Sequence, residues 1–400
     1  MHATSASLWT RPFLLICFAH LAMTVGFYAT MPVYSIFLND RFHLEGMMLG
    51  AAVASYTASA ILFRPPAGYY LDKLGRRAIY LPSYALFGLI YFLYPLADSV
   101  FSVSLARILH GALWGVAMGA ATTAAVDVLP PKRRGEGIGY FGMAMILGMS
   151  GGPALGTFIA ETHGYNSLFV CVGLLTAVGF VILCLTPFPT IPRTARPFTL
   201  HSLMEPSSLP ASAATLISCI PYGCIMNFTS MYARTLSGAS AGAFFLCLAL
   251  GTALSRLRSG TTFDQKGPGG VMTFGYAFML AGYLLLTLTC NSVLFVFSGL
   301  LIGLGYGVTI PVIQAMINAL VPPERRGAAN ATLMTAFDLG ICIGLLILSQ
   351  MIDRAGWQAT FIVMTGCIVA SALVFRLYSL PRYKAGLDQQ AKKQPCRDSN

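Results

Sequence analysis

The chain alternates between long apolar segments without charge and short polar segments that hold most of its Lys and Arg residues. Residues 144–160 and 361–375, for example, contain no charged side chain. A run of about 20 apolar residues is long enough to cross a bilayer as a helix. The pattern predicts twelve membrane-spanning helices, over residues 12–37, 46–65, 79–97, 101–127, 138–159, 166–186, 212–236, 238–257, 270–289, 291–320, 329–350 and 358–379.

The composition leaves no room for a large soluble domain. Of the 400 residues, 56% are hydrophobic and 10% are charged, whereas a soluble domain carries about 25% charged residues. Twelve spans need about 240 residues, and the remaining chain is used by short loops and termini. We therefore predict an all-α membrane protein embedded in the lipid bilayer.

The basic residues predict the orientation of the chain in the membrane. The net charge of +11 does not indicate a nucleic-acid partner, because Lys and Arg lie mostly in short loops between apolar segments. With a cytoplasmic N-terminus, 21 of the 25 basic residues are cytoplasmic, Arg41, Arg234 and Arg354 lie outside, and Arg107 lies within span 4. Basic residues concentrate on the cytoplasmic side of membrane proteins. The sequence thus predicts a multi-pass protein of a bacterial inner membrane with both termini in the cytoplasm.

Cysteine placement and motif content predict no metal and no cofactor. The ten cysteines lie mostly inside apolar segments and show no metal-binding spacing. The sequence also has no G-x-x-x-x-G-K-[ST] nucleotide-binding loop. Ion gradients are then the expected source of energy.

The two halves of the chain repeat at an offset of 192 residues. Arg64, Gly68, Asp72 and Gly75 recur as Arg256, Gly260, Asp264 and Gly267, and Pro130-Pro131-x-Arg133-Arg134-Gly135 recurs as Pro322-Pro323-x-Arg325-Arg326-Gly327. The repeat predicts an N-terminal six-helix bundle (1–190), a linker (191–211), a C-terminal six-helix bundle (212–380) and a disordered cytoplasmic tail (381–400). Parallel six-helix repeats of this kind enclose a central cavity that rocking exposes to each side in turn, so the architecture predicts transport.

The loop between spans 2 and 3 resembles the signature loop of the major facilitator superfamily, G-x-x-x-D-x-x-G-R-R. It carries Gly68, Asp72, Gly75, Arg76 and Arg77. The resemblance covers essentially the whole chain and implies the fold of that family, with two pseudo-symmetric six-helix halves. It also implies that this loop, with Asp264 at the equivalent position of the second half, acts as a conformational latch of the outward-open state.

Span 5 resembles the antiporter motif of the export branch of that family, G-x8-G-x3-G-P-x2-G-G. The matching residues are Gly139, Gly148, Gly152, Pro153 and Gly156, and Thr157 replaces the last glycine. Small residues at every fourth position let helix backbones approach closely. The resemblance implies export rather than uptake.

Arg107 in span 4 begins a stretch that resembles R-x-x-x-G, the motif linked to proton transfer in the family. An arginine at the centre of a span costs about 2.5–3.5 kcal/mol on insertion scales, so it must face a cavity or a partner. We interpret it as a residue for proton coupling or substrate binding. The alternatives are a structural arginine bonded to backbone carbonyls and an arginine that reaches the outer surface.

Asp338 lies about ten residues into span 11, and its first-half equivalent is Ile146. A buried carboxyl can hold and release a proton near neutral pH, or it can stay ionised against Arg107 or a cationic substrate. The alternative is a structural role, in which the carboxyl is hydrogen-bonded to Asn330, Thr335 or the backbone. His20 in span 1 is a further candidate for coupling, ranked below Asp338, as is His110 in span 4.

Candidate cavity residues lie on spans 1, 4, 7 and 10, which the resemblance implies line the cavity. They are Tyr28, Trp114, Asn227, Tyr306 and Gln314, and Tyr232 is a weaker candidate near the outer end of its span. Together these features predict a monomeric transporter that exports a small organic metabolite or drug in exchange for protons. Proton-coupled uptake is the alternative within transport. A membrane sensor or a polytopic membrane enzyme is disfavoured, because the chain has neither an added signalling domain nor a loop with paired catalytic acids.

Overall fold

The computed structural model describes residues 7–130, 133–188, 205–289, 291–322 and 325–393, with side chains omitted at 68, 72, 134, 135, 257–266, 327 and 390–393. This part of the chain is almost entirely helical and contains no strand. The helices are α1 (Arg11–Phe42), α2 (Gly46–Leu74), α3 (Arg76–Leu93), α4 (Val100–Val128), α5 (Arg134–Cys184), α6 (Leu209–Ala233), α7 (Ala241–Thr287), α8 (Ser292–Leu320), α9 (Arg326–Val374) and α10 (Leu380–Lys393).

Three of the long helices are broken once, each at a glycine with positive φ. The breaks are at Gly164 in α5 (φ 82°), Gly267 in α7 (φ 65°) and Gly356 in α9 (φ 78°). Glycine adopts this conformation without the steric cost that a side chain would bring. Counting each broken helix as two segments, α1 to α9 supply the twelve helical segments that the apolar pattern predicts, and eight helical stretches are long and apolar enough to cross a membrane. The all-helical membrane fold predicted from the sequence is confirmed.

Several helices extend beyond the predicted spans by about one to three turns. The segment predicted to end at residue 65 continues as α2 through Pro65 and Pro66 to Leu74, and α5 begins at Arg134 instead of 138. The apolar pattern marks only the part of a helix that meets lipid. Backbone hydrogen bonding continues past that part into water, so the pattern underestimates helix length.

Contacts divide the chain into two units. Unit 1 comprises Met1–Phe198 with Met226–Met231, and unit 2 comprises Thr199–Ile225 with Tyr232–Asn400. In unit 1, α1 packs along α5, α2 along α4, and α3 against both α4 and α5. In unit 2, the main contacts join α7 to α8 and α7 to α9.

The C-terminal segment corrects one prediction. Residues 381–393 were predicted as part of a disordered tail, but they form α10, which follows a π-helical turn at Phe375–Ser379. Tyr383 of α10 is buried, as is Ser379 one turn earlier in the π-helical turn, and Gly386 packs beside Leu320 at the end of α8. The sequence of α10 is polar overall because only this narrow stripe is covered. Residues 394–400 lie outside the described part of the chain.

Most of the predicted linker also lies outside the description. Within 191–211, only residues 205–211 are described, and they form a short 3-10 turn (Pro206–Ser208) followed by the start of α6. The C-terminal bundle therefore begins about one turn earlier than predicted.

Candidate functional site

Arg107 is buried in unit 1, with 2% of its surface exposed. Its guanidinium lies over the ring of Tyr34 on α1, 4.0 Å from the centroid, and over the ring of Tyr56 on α2, 4.4 Å from the centroid. A desolvated cation–π contact contributes about 2 kcal/mol. The aromatic faces therefore provide the partner that an arginine within a span requires, and no carboxylate is paired with Arg107 among the described side chains.

His110, one helical turn after Arg107, is fully buried among aromatic residues of α3. The hydroxyl of Tyr94 lies 2.9 Å from Nδ1 of His110. The rings of Phe87 and Tyr91 lie 4.4 and 4.6 Å from the imidazole, measured between centroids. The Tyr94 hydroxyl is also within hydrogen-bonding reach of Arg107. Arg107 and His110 are thus held in one aromatic cluster built from α1 to α4.

Several polar atoms of this cluster make no hydrogen bond within the described structure. They are Nε of Arg107, the hydroxyl of Tyr56 and Nε2 of His110. An unpaired buried polar group costs about 1–3 kcal/mol. The cluster therefore keeps hydrogen-bonding capacity that the fold itself does not use.

Of the predicted cavity residues, Trp114 belongs to the same cluster and Tyr28 borders it. Trp114 stacks on Phe27, with centroids 4.2 Å apart, and Phe27 also stacks on Tyr56 at 5.0 Å. Tyr28 meets the edge of Phe27 at 4.8 Å. We name Phe27, Tyr34, Tyr56, Tyr94, Arg107, His110 and Trp114 the Arg107 cluster.

His20 does not belong to the Arg107 cluster. It is buried and stacks on Phe141 of α5, with centroids 4.2 Å apart. It precedes Tyr34 by 14 residues on α1, which corresponds to about 20 Å along a helix. The structure therefore separates two residues that the sequence had grouped as coupling candidates.

In unit 2, Asp338 is half-buried on α9. Its carboxylate lies within electrostatic range of the thiols of Cys219 on α6 and Cys342 on α9. Asn330, proposed above as a bonding partner, donates to Asn318 and accepts from Gln314 instead. The other proposed partner, Thr335, donates to a carbonyl of its own helix. Asp338 and Arg107 belong to different units.

Tyr306 is part of a tyrosine cluster in unit 2. Its hydroxyl donates to the carbonyl of Ser218 at 2.6 Å and pairs with the hydroxyl of Tyr283 at 3.1 Å. Tyr222 packs against Tyr306, 4.7 Å between centroids, and contacts Phe337 next to Asp338. Phe337, which contacts this cluster, immediately precedes Asp338 on α9.

The remaining cavity candidates have different environments. Asn227 is buried in α6, whereas Gln314 is exposed on α8 and donates to Asn330 at 3.0 Å. Tyr232 packs edge-on against Phe361 at 4.8 Å and against Trp357 at 5.1 Å. Tyr232 therefore sits in a local aromatic group near the end of α6, consistent with the weaker assignment given above.

Arg76 of the predicted latch makes a well-formed ion pair. Its Nε donates to Asp127 at the end of α4 at 2.8 Å, and its Nη1 donates to the carbonyl of Leu71 at 2.9 Å. Gly75 before it has φ 97°, which allows the sharp turn from α2 to α3. Arg77 is exposed, and the side chains at 72 and 264 lie outside the described part of the structure.

The glycines of the antiporter motif lie at the contact between α5 and α1. A Cβ at Gly148 would lie 2.8 Å from the carbonyl carbon of Thr24, and a Cβ at Gly152 would lie 2.7 Å from Cβ of Tyr28. A Cβ at Gly156 would overlap the carbonyl oxygen of Ala29. Gly139 has open space beside it, so only three glycines of the motif are required by this packing.

The sequence did not indicate the aromatic contacts of Arg107, because they come from other helices and from the end of α3. Tyr34, Tyr56 and Tyr94 lie in apolar segments where tyrosine is ordinary. The only available signal was indirect: an arginine within a span, with no acid between residues 11 and 40 in the first span to compensate it.

The comparisons with known proteins agree with this architecture. The chain is 28% identical over 156 residues to Multidrug resistance protein 1 of Bacillus subtilis (strain 168), which covers 38% of this chain and 40% of that protein. It is 28% identical over 158 residues to Quinolone resistance protein NorA of Staphylococcus aureus (strain MRSA252), which covers 40% of each. The matched segments thus span about 40% of the length of these curated relatives.

Solved transporters share the fold over nearly the full length of the chain. A D-xylose-proton symporter superposes with a TM-score of 0.75 at 18% identity, covering 92% of this chain and 98% of its own. The nucleoside transporter NupG superposes with a TM-score of 0.71 at 14% identity, covering 92% and 99%. The model of the Major Facilitator Superfamily matches residues 16–206 and 211–398. The chain is therefore a membrane transporter, not an enzyme, and it belongs to the Major Facilitator Superfamily.

Proposed function

We propose that this transporter exports a small organic metabolite or drug in exchange for protons, by alternating access. The observation that carries the direction is the packing of Gly148, Gly152 and Gly156 of α5 on α1, because these residues match the antiporter motif of exporters. The relatives named for multidrug and quinolone resistance support the same direction. The substrate itself is a small molecule of unassigned identity.

Asp338 is the proposed site of proton coupling. Among the described acidic side chains it alone lies within a membrane-spanning segment and away from its ends. It is half-buried beside Cys219 and follows Phe337, which packs on the tyrosine cluster. A carboxyl in such a setting can exchange a proton with one side of the membrane at a time. His20 is the secondary candidate for coupling, and Arg107 is the secondary candidate for coupling or substrate binding.

Proton-coupled uptake is the alternative. It is favoured by the fold that this chain shares with a D-xylose-proton symporter. The two directions differ in the sign of the coupled proton movement. In an exchanger, substrate and proton move in opposite directions, whereas in a symporter they move together. The basic residues further support an inner-membrane protein with cytoplasmic termini.

The test is proton flux in liposomes that contain the purified protein. A panel of polar and amphiphilic metabolites is added, and Asp338→Asn is compared with Asp353→Asn, an exposed acid near the end of the same helical segment. We expect substrate-triggered proton movement opposite to the substrate, lost in Asp338→Asn and kept in Asp353→Asn. Movement in the same direction would establish symport. Movement that survives Asp338→Asn would place coupling elsewhere.

A further inference from the structure

The Arg107 cluster is a buried cationic site without a counter-ion among the described residues. The guanidinium is compensated by the ring faces of Tyr34 and Tyr56. Ring faces attract a cation, but they do not replace the oxygen acceptors that N–H groups bond in a carboxylate. The charge of Arg107 is thus partly compensated, and the Tyr94 hydroxyl is within hydrogen-bonding reach of the guanidinium, but Nε stays unbonded in the described structure.

The unbonded atoms around this charge are all able to donate. Nε of Arg107 and the hydroxyl of Tyr56 carry hydrogens, and both are buried without a hydrogen-bond partner in the described structure. Nε2 of His110 is also buried and unbonded. It carries the hydrogen of the neutral ring when Nδ1 accepts from Tyr94. A positive charge with several unused donors requires an acceptor, and preferentially an anion.

The repeat shows that the fold does not require this charge. At the offset of 192 residues, Arg107 corresponds to Gly299, Tyr56 to Leu248 and His110 to Ile302. A Cβ at Gly299 would lie 2.7 Å from the carbonyl oxygen of Phe244 and 3.0 Å from its ring, so the equivalent helix crossing leaves no room for a side chain at this position. The charged and donor-rich site is a property of the first half alone.

Arg107 is also unsuited to carry a proton itself, because a guanidinium does not release its proton in proteins. Its remaining chemistry is recognition. Arginine binds carboxylates and other oxyanions through its planar array of N–H groups. The stacked rings of Phe27 and Trp114 beside Tyr56 offer an apolar surface next to that charge.

We propose that Arg107, with Tyr56 and His110, binds the carboxylate or other oxyanion group of the transported molecule. The substrate class is then organic anions with an apolar or aromatic body. The inference rests on the proposed transport function and assigns the chemical class of its substrate.

Trp114 provides a direct readout of binding without transport. The chain has three tryptophans, and replacing the other two by Trp9→Phe and Trp357→Phe leaves Trp114 as the reporter. The purified protein is titrated with benzoate, cyclohexanecarboxylate and hexanoate, each against its neutral amide, and with chloride and inorganic phosphate. We expect at least one carboxylate to bind ten-fold or more tightly than its amide.

Substitutions then assign the preference to the cluster. Arg107→Gln should abolish the preference for carboxylate, whereas Arg354→Gln, which removes an exposed arginine of another helix, should leave it intact. Because Arg107→Gln can impair folding, Tyr56→Phe serves as a second variant. It keeps the ring and removes only the unbonded hydroxyl, and it should weaken carboxylate binding several-fold with no change for the amides.

The outcomes separate this inference from the proposed function. Equal binding of acids and amides, a preference that survives Arg107→Gln, or binding of chloride and phosphate alone would overturn the anionic substrate class. Proton exchange with neutral or cationic compounds would then leave the transport proposal standing. Carboxylate preference without any substrate-triggered proton movement would support the site and contradict proton exchange.

Discussion

Arg76 at the start of α3 and Asp127 at the end of α4 are joined by an ion pair of 2.8 Å, although they are 51 residues apart in the sequence. Only 16% and 14% of the two side chains are exposed. Arg76 also holds the carbonyl of Leu71 in α2. One side chain of the signature loop therefore connects three helix ends on the same side of unit 1.

Asp127→Asn should destabilise the protein, because it leaves the Arg76 guanidinium without its charged acceptor. A hydrogen bond to a charged group contributes about 1.5–3 kcal/mol, and the limited exposure of both side chains keeps solvent screening small. A thermal denaturation series in detergent with Asp127→Asn, Arg76→Gln and the double variant measures the coupling energy of the pair.

Asp388→Asn is the matched control, since it removes an exposed acid of α10 and should leave the melting temperature unchanged. If the two single substitutions at positions 76 and 127 add in the double variant, the pair contributes no coupling and its structural role is contradicted.

Alanine substitutions at two glycines of α5 should change the stability of the protein in opposite directions. Gly156→Ala places a methyl group on the carbonyl oxygen of Ala29, which α1 relieves only by moving away. Overpacking of this kind costs about 1–3 kcal/mol. Gly151→Ala meets open space and should stabilise the helix by about 0.4–1 kcal/mol.

Thermal denaturation and substrate exchange of the two alanine variants check this prediction. We expect Gly156→Ala to lose both stability and exchange, and Gly151→Ala to keep exchange with an equal or higher melting temperature. Equal behaviour of the two variants would show that the contact between α5 and α1 tolerates separation.

The apolar pattern predicted all twelve spans, because lipid exposure requires long uncharged segments whatever their neighbours are. It missed the helical state of α10, whose buried stripe is too narrow to show in a polar segment. It also missed the partners of Arg107, since cation–π contacts depend on how α1, α2 and α4 meet in space. Asp338 stays a prediction, and the sequence singles it out because an acid within a span is rare enough to be informative alone.

Tyr383 should anchor α10 to the rest of unit 2. Its ring is buried, with 8% exposed, beside a small groove lined by Pro210, Met316 and Leu320. Removing a buried aromatic side chain costs about 3 kcal/mol, which exceeds the stability expected of a short isolated helix. Tyr383→Ala should therefore release α10 while the other helices stay folded.

Hydrogen–deuterium exchange measures this release directly. In Tyr383→Ala, amides of α10 should exchange at least ten-fold faster than in the parent protein. The neighbouring exposed residue supplies the control, and Lys384→Ala should leave the exchange of α10 unchanged. Protection of α10 that persists in Tyr383→Ala would mean that other contacts hold the helix.

Glu205 links the start of α6 to the start of α9 within unit 2. Its carboxylate accepts from the Arg325 side chain and from the hydroxyl and backbone N–H of Ser207, and its own N–H donates to Thr332 at 2.9 Å. Burial alone would raise the pKa of Glu205, but the hydrogen bonds from Arg325 and Ser207 outweigh it and hold the pKa below its ordinary value. The ionised carboxylate therefore stabilises the folded state.

The sign of the pH dependence follows from that lowered pKa. The pKa of a glutamate in the unfolded chain is about 4.3. The stabilisation by Glu205 is therefore complete above that pH and is lost as the pH falls through the lower pKa of the folded state. Glu205→Gln should cost about 1 kcal/mol at neutral pH, a value limited by the exposure of Arg325. The difference in the free energy of unfolding between Glu205→Gln and the parent protein should narrow below about pH 4.

Glu136→Gln is the matched control. It removes the exposed partner of Arg133, the first-half equivalent of Arg325, and it should leave the melting temperature unchanged at every pH. A gap between Glu205→Gln and the parent that stays constant down to pH 3, or an equal effect of Glu136→Gln, would show that the Glu205 carboxylate is not what stabilises this junction.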